Sequence, residues 1–546
     1  MKNILSIIVI IISLGAHAQT VQSDITLTDL QRLEQLKDSL GTDNKSYIIR
    51  SSSLYWKDAI KADTDKKGGP VFKLLQAGYT FQTNTNLPIG YNDGSMIPAL
   101  GVQQRVTIGA MMRYKNLTIQ LQPEFVSAAN TDPVPFQSDL TDKNYYARYY
   151  LFEANKISNF SRIGKTPYQA LFAGQSSIRY NTGNISFGIS TENLWWGPGI
   201  RNSLVLTNNA PGFTHFTINS MQPIHSKWGN WEFQFVIGNL ANPTTENPDN
   251  DTMRTIWSDG IAKKSNTGRA ILGYIVSFNP KFAKNLFIGA TRASYFFTSP
   301  VATFPTVLIT DQENKAGPSR LGSLFVRYKM PKDNAEVWIE YGRSNRWAAP
   351  WNLIGDTIPT GYSAGIRKLV PVGRSKGAYM AIGFEITQLQ MPDTRLIFNA
   401  ANPFGIPKTN GWYTSAYNNQ GYTNQAQVMG ASIGPGSNSQ TLFIQWIKGS
   451  KRIGFQFERV AHNNDFALYN YFNGIVGQGT TNKYWVDVNW GLNAQWNYKQ
   501  FLFSAFYTYT KSLNYRWVKI DGGFAGPSTS DRNNSQFAAS IHYFFD

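Results

Sequence analysis

From Phe72 to Phe545 the chain is written in short segments whose apolar and polar residues alternate, each closed by turn-forming residues. In the last of them Phe537, Ala539, Ile541, Tyr543 and Phe545 fall on one side, and Gln536, Ser540 and His542 on the other. Successive side chains of a β-strand point to opposite faces, so each segment has one apolar and one polar face. Repeated about eighteen times in an exported chain, this is the pattern of an all-β fold, a transmembrane antiparallel β-barrel of about 18 strands. Lipid covers the outside of such a barrel, and water or polar packing fills the inside.

Export is read from the N-terminus. Lys2 precedes an apolar run from Ile4 to Leu14, and Ala16-His17-Ala18 supplies the small residues that signal peptidase needs, so residues 1–18 read as a signal peptide for Sec-type export. The apolar run is far shorter than the ~20 residues that cross a bilayer as a helix. Backbone polar groups must all be paired inside hydrocarbon, which leaves a closed barrel as the spanning option and the outer membrane of a Gram-negative bacterium as the location. There are no cysteines, which excludes disulfides and zinc-thiolate sites. The net charge of +17 would ordinarily raise nucleic acid. An exported barrel meets little of it, so lipopolysaccharide, outer-membrane lipid or an acidic polysaccharide fits better, alongside the barrel-insertion machinery.

Three regions follow. After residues 1–18, residues 19–70 hold Leu27, Leu30, Leu33, Leu36 and Leu40 at three- and four-residue steps before Gly41, the mark of a short amphipathic helix in the periplasm. Residues 71–546 form the barrel, with short turns at Lys115-Asn116, Pro331 to Asn334, Gly449 to Lys451 and Tyr498 to Gln500. Long connections, among them 239–268, 343–377, 387–439 and 462–483, form the opposite, extracellular end. The stretch 387–439 is too long for a structureless loop and should hide a strand or a plug element.

Parity assigns the lumen. Around Lys115-Asn116, Val106, Ile108, Ala110 and Met112 share the lipid face with Leu117, Ile119, Leu121 and Phe125, which turns Arg105 and Glu124 inward, opposite or diagonal to each other. Over Pro331 to Asn334, Lys329 faces Glu336, and Arg327 sits opposite Trp338 and diagonal to Glu336 and Glu340. Interior charges of both signs suit a laced, partly filled lumen better than an open pore.

Candidate ligand contacts lie in the loops. Stretch 343–377 carries Arg343, Arg346, Arg367, Lys368, Arg374 and Lys376 against Asp356, with Trp347 and Trp351 among them. Guanidinium forks bind carboxylate or phosphate, and indole faces stack on sugar rings. A plain rim that meets lipopolysaccharide phosphates is the other reading of the same charges. Segment 412–424 sets Trp412, Tyr413, Tyr417 and Tyr422 among amides suited to hydroxyl-rich sugars, or else folds into the lumen with its aromatics packed. Glu246, Asp249 and Asp251 lack EF-hand spacing and read as a solvated loop rather than a calcium site. The Gly-x-Ser-x-Gly strings at 361–365 and 430–434 lack the strand-to-helix context of a hydrolase elbow, and His542 beside Ser540 reads as a wall histidine. No metal, cofactor or catalytic residue is expected.

Three stretches go beyond generic barrel composition. They are Tyr91-Asn92-Asp93-Gly94-Ser95-Met96-Ile97-Pro98-Ala99 with Leu121-Gln122-Pro123-Glu124; Gly174-Gln175-Ser176-Ser177-Ile178-Arg179 with Glu192-Asn193-Leu194-Trp195-Trp196-Gly197-Pro198-Gly199; and Gln420-Gly421-Tyr422-Thr423-Asn424 with Ile433-Gly434-Pro435. Trp195 to Gly199 reads as structural, with Glu192 available to an inward Arg179 or Arg201. Together these stretches resemble the Wzi-type capsule-assembly family, in a Bacteroidetes-like form. The resemblance implies an 18-stranded barrel with a periplasmic helical portion, acting as a non-enzymatic lectin that helps attach or organise capsular or exopolysaccharide. Arg346, Trp347, Trp351, Arg367, Trp412 and Tyr422 are the expected polymer contacts. A channel for saccharides or other solutes is the alternative, and an outer-membrane lipase a third.

Overall fold

A computed structural model describes residues 25–37, 45–50, 69–133, 148–159, 162–164, 166–242, 264–298, 319–344, 358–373, 377–391, 410–473, 484–517 and 530–545. Residues 1–18, expected to be a signal peptide, together with Arg346, Trp347, Trp351, Glu246, Asp249 and Asp251, lie outside this set. Helix α1 is Ile25–Leu36. Eighteen antiparallel staves then close a barrel. They are β1 Val71–Asn84, β2 Gly101–Tyr114, β3 Leu117–Leu121 with Glu124–Ala128, β4 Tyr168–Phe172 with Ser177–Thr182, β5 Ile185–Ser190 and β6 His215–Ser220 with Ile224–His225. Next come β7 Gly229–Leu240, β8 Arg269–Pro280, β9 Leu286–Phe297, β10 Ser319–Met330, β11 Ala335–Ser344 and β12 Thr360–Pro371. The circuit ends with β13 Ala378–Gln388, β14 Asn438–Lys448, β15 Lys451–His462, β16 Trp485–Tyr498, β17 Phe501–Leu513 and β18 Arg532–Tyr543. β1 pairs with both β2 and β18, which closes the ring. Among the described residues no helix is long and apolar enough to cross a membrane.

The register follows the alternation. Val106 lies across from Phe125, and Ala110 from Leu121; Val106, Ile108, Leu121 and Phe125 are all exposed on the outer wall. Lys329 faces Glu336, and Arg327 faces Trp338, inside the barrel. Stave β3 breaks at Gln122-Pro123 because proline has no N–H for the ladder. The stretch 343–377 is not one loop, for it contains β12. Its outward Tyr362 and Ile366 alternate with inward Ser363 and Arg367, but Gly361 and Gly365 dilute the pattern. Gly365 is needed there, since a Cβ would lie 2.3 Å from the Trp338 indole.

The lumen is filled. Segments 45–50, 193–213 and 410–437 run inside the wall, and Ile49–Arg50 pairs with Trp195–Trp196 as a two-stranded ladder. A second ladder, Thr423–Asn424 with Gln427–Val428, lies within the long connection between β13 and β14. Trp196, Leu204, Leu206, Trp412, Tyr413 and Tyr422 form one apolar cluster with inward residues of the wall such as Val236, Ile271, Phe287 and Phe325. Staves β7 to β10 therefore break the polar-inside rule, because their inner face packs on protein rather than water.

Candidate functional site

Strand parity places single carboxylates on the inner wall, and the plug is hung from them. Glu385 on β13 accepts hydrogen bonds from the backbone N–H groups of Ile200 at 2.6 Å, Arg201 at 3.1 Å and Asn202 at 2.7 Å. Glu340 on β11 accepts from Leu204 N–H at 3.2 Å and from Ser323 Oγ at 2.6 Å. Glu458 on β15 takes both arms of Arg201 at 2.9 Å. Arg179 on β4 donates to Glu192 at 2.5 Å. The Trp195-Trp196-Gly197-Pro198-Gly199 run is structural: Gly197 has φ +136°, and Trp196 Nε1 donates to Gln234 at 2.8 Å. Arg105 and Glu124 are diagonal and face inward, yet they do not pair. Arg105 donates to Asp93 O at 3.3 Å, while Glu124 takes Ser95 and Gln175.

At the short-turn end α1 closes the barrel. Glu336 gathers Arg327 at 2.7 Å, Arg367 at 2.8 Å and Arg32 at 3.0 Å, and Asp29 takes Arg367 at 2.6 Å and Arg452 at 3.1 Å. Burial raises the cost of a charged Asp29, but Arg367 and Arg452 outweigh it and hold the carboxyl well below the usual range.

This geometry corrects three expected polymer contacts. Arg367 stands at the wrong end of the barrel and is consumed by Asp29 and Glu336. Trp412 and Tyr422 are 0% exposed inside the plug, where Tyr413 and Tyr422 stack at 5.8 Å. An aromatic face with no accessible surface cannot stack on a sugar. Their sequence neighbourhood shows flat rings among amides, and that composition serves a packed plug as well as a binding loop.

The long-loop end instead presents a cleft of about 220 Å³ above the plug. Its walls come from the ends of β15 and β16, the loop 87–98, the π-helical turn Tyr150–Ala154, the turn Tyr515–Trp517 and plug residues 426–435. Helix α2, Asn464–Asn473, braces it from behind through Phe466, which packs on Tyr149, Phe152 and Trp517. The polar groups are locked. His462 Nε2 lies 2.8 Å from Asp487 Oδ2, and Trp485 Nε1 donates to Asp487 Oδ1 at 2.9 Å and to Ser512 Oγ at 2.8 Å. The imidazole stacks on the Trp485 indole at 4.0 Å, and Trp517 Nε1 donates to His462 O at 2.8 Å. Arg516 and Trp517 both hold left-handed backbone, φ 57° and 59°, a costly choice for residues with side chains.

Tyr149 and Trp485 are half-buried and line the cleft with Asn159, Asn209 and Asn463. Flat apolar rings beside amides and a carboxylate match a sugar ring, which has an apolar C–H face and a polar rim of hydroxyls. Glu153 also lines the cleft. It is buried, and its Oε2 has no hydrogen-bond partner. Burial, then the charge of Asp465, pushes its carboxyl up to about 8 against the pull of Lys156. Among the described residues no group of three or more metal-ligating side chains converges. None of the cleft residues was expected from sequence as a site. They come from seven separate segments, of which the Tyr91 to Ala99 stretch and Ile433-Gly434-Pro435 had stood out.

Fold and interior together define a class: an 18-stranded transmembrane barrel whose lumen is a packed plug and whose long loops frame a shallow aromatic cleft. Residues 100–367 match the family model described as capsule assembly protein Wzi, and the chain belongs to that family. Among solved structures, Wzi of Escherichia coli aligns over 96% of this chain and 99% of its own, with a TM-score of 0.61 at 13% identity. That protein is described as an outer-membrane protein involved in group 1 capsule assembly and as a carbohydrate-binding β-barrel. OccAB1 of Acinetobacter baumannii aligns over 89% of this chain and 100% of its own, at 10% identity and a TM-score of 0.41. OccK2 of Pseudomonas aeruginosa aligns over 87% and 97%, at 8% and 0.40. The last two superpositions are too loose to bear on function. No curated protein matches the chain by sequence.

Proposed function

We propose that the protein is a non-enzymatic outer-membrane anchor that binds capsular or exopolysaccharide at its long-loop mouth and aids its assembly or attachment at the cell surface. The observation that carries this reading is the aromatic, amide-lined cleft seated directly on a filled lumen. Family membership and the carbohydrate-binding E. coli relative support it. A repeating polymer offers the same ring many times, so one shallow cleft per barrel, and many barrels per cell, add by avidity. Lipopolysaccharide around the barrel and Sec-type export belong to the same reading.

The alternative, a channel for saccharides or other solutes, is disfavoured by the apolar core inside the wall, where Trp196, Trp412 and Phe325 occupy the space a solute would need. The test is to remove the protein from its cell and measure bound against shed polysaccharide. A shift toward shed polymer is expected. An unchanged ratio overturns the reading, and a glycan array with the purified protein then identifies any other ligand.

A further inference from the structure

Charge on this barrel is sorted by end. The short turns carry Lys115, Lys227, Lys281, Lys284, Lys332 and Lys499, all exposed, against Asp333 as their acid among the described residues. Lys368 and Lys448 are exposed at the adjoining stave ends. The long-loop end is mixed among the described residues, with Arg148, Lys156, Arg162, Lys264, Arg516 and Arg532 beside Asp132, Glu153, Asp465, Asp487 and Asp531. Among the described residues the rim closed by α1 thus carries a local surplus of exposed lysines, at the end facing away from the polymer cleft.

The turn lysines come with aromatics. Lys227 lies 4.5 Å from the Trp228 ring, Lys115 5.3 Å from Tyr114, and Lys499 5.5 Å from Tyr498; Lys451 on β15 reaches Trp496 at 4.2 Å. Trp228 is 65% exposed, and Phe282, between Lys281 and Lys284, is 90% exposed. A phenyl ring left in water at the tip of a turn gains nothing by folding. The same ring at a headgroup boundary is buried in lipid, with flanking ammonium groups reaching the phosphate plane. A ring of like charges around one rim also repels itself unless counter-anions sit within a Debye length of about 8 Å.

We propose that this rim is a binding surface for anionic phospholipid headgroups of the leaflet on the short-turn side, the lysines pairing with phosphates while Phe282, Trp228 and Tyr498 sit among the acyl-chain roots. The surface is distinct from the polysaccharide cleft and lies at the opposite end of the barrel. It fixes the depth and tilt of the barrel from below while the polymer pulls from above.

The experiment reconstitutes the full-length protein in vesicles of phosphatidylethanolamine and phosphatidylglycerol, extracts it gently, and counts retained lipids by native mass spectrometry. Wild type should retain phosphatidylglycerol at about threefold its bulk ratio. Changing the six turn lysines to Gln should return that ratio to bulk, while changing all six to Arg keeps the enrichment. No enrichment in wild type, or enrichment that survives the Gln changes, overturns the proposal, as does loss in the Arg variant. Should the Gln variant not fold, raising the salt on wild type reads the same point: enrichment must fall toward bulk, and enrichment indifferent to salt overturns it. Wild-type retention on acidic peptidoglycan without lipid enrichment also counts against it. Polysaccharide binding should be the same in all variants, so a failure here is separable from a failure of the cleft.

Discussion

Arg367 on β12 donates to Asp29 on α1 at 2.6 Å and to Glu336 on β11 at 2.8 Å, so one guanidinium ties the N-terminal helix to the barrel wall. Replacing Asp29 with Asn leaves Arg367 and Arg452 with one anion fewer in a site that is nearly dry. Removing one partner of a buried pair costs about 3–5 kcal/mol, and the partial exposure of Asp29 argues for the lower end. Hydrogen exchange over residues 25–36 should rise by two orders of magnitude or so in Asp29→Asn. The pH sign follows from the depressed carboxyl. Its contribution is present above the unfolded value of about 3.9 and is lost as pH falls through the lower folded value. Wild-type protection should therefore hold at neutral pH and decline only in strong acid. Equal protection in variant and wild type would show that α1 is held by packing alone.

The plug predicts electrical silence. Glu385 satisfies three N–H groups of the segment that follows Pro198, and Glu385→Ala leaves all three without that acceptor, at a cost of about 1–3 kcal/mol per orphaned group. Wild-type protein in a planar bilayer should show no steady conductance, and Glu385→Ala should show brief openings as residues 193–213 loosen. A large steady current from wild type would restore the channel reading.

How much of this was legible beforehand depends on which residues touch solvent. Lipid-facing rows such as Val106, Ile108, Leu121 and Phe125 obey the alternation because hydrocarbon tolerates nothing else there. The hairpins over Lys115-Asn116 and over Pro331 to Asn334 could therefore be registered to the residue. The inner face has no such single solvent. Phe287, Ile271 and Phe325 point inward against a plug written elsewhere in the chain, and periodicity carries no trace of that partner. Glu385 and Glu458, acids set among apolar neighbours on inward positions, were the available sign that something polar had to meet them. The cleft was least legible of all, because His462, Trp485 and Tyr149 meet only through the circuit of the barrel.

Sugar binding at the mouth should depend on the two half-buried rings. Trp485→Ala and Tyr149→Ala each remove a flat face, and each should weaken binding of the cell's own polysaccharide about tenfold, equal to ~1.4 kcal/mol. Trp485→Phe should recover part of the loss by keeping a ring while dropping the hydrogen bonds to Asp487 and Ser512. Trp412→Phe, inside the plug, serves as the contrast: it should lower thermal stability and leave affinity within twofold or so. Isothermal titration with defined oligosaccharides measures both. Loss of affinity in Trp412→Phe with none in Trp485→Ala would move the site away from this cleft.

Glu153 and Lys156 make the mouth sensitive to pH in two opposite limbs. Burial, with Asp465 adding to it, raises Glu153 from 4.5 to about 8, and burial lowers Lys156 from 10.5 to about 8 with Glu153 opposing. A raised carboxyl contributes stability that is complete below 4.5 and lost as pH climbs through 8. A depressed amine contributes stability that is complete above 10.5 and lost as pH drops through 8. Protection of the π-helical turn Tyr150–Ala154 should therefore fall from mild acid to a minimum near pH 8 and recover in alkali. Glu153→Gln should flatten the acid limb and leave the alkaline one, while Lys156→Met does the reverse. Hydrogen exchange across residues 148–158, corrected for intrinsic rates, resolves the two limbs. A wild-type profile that is flat from pH 5 to 8 would mean that water reaches Glu153 and that its carboxyl titrates as an ordinary surface acid.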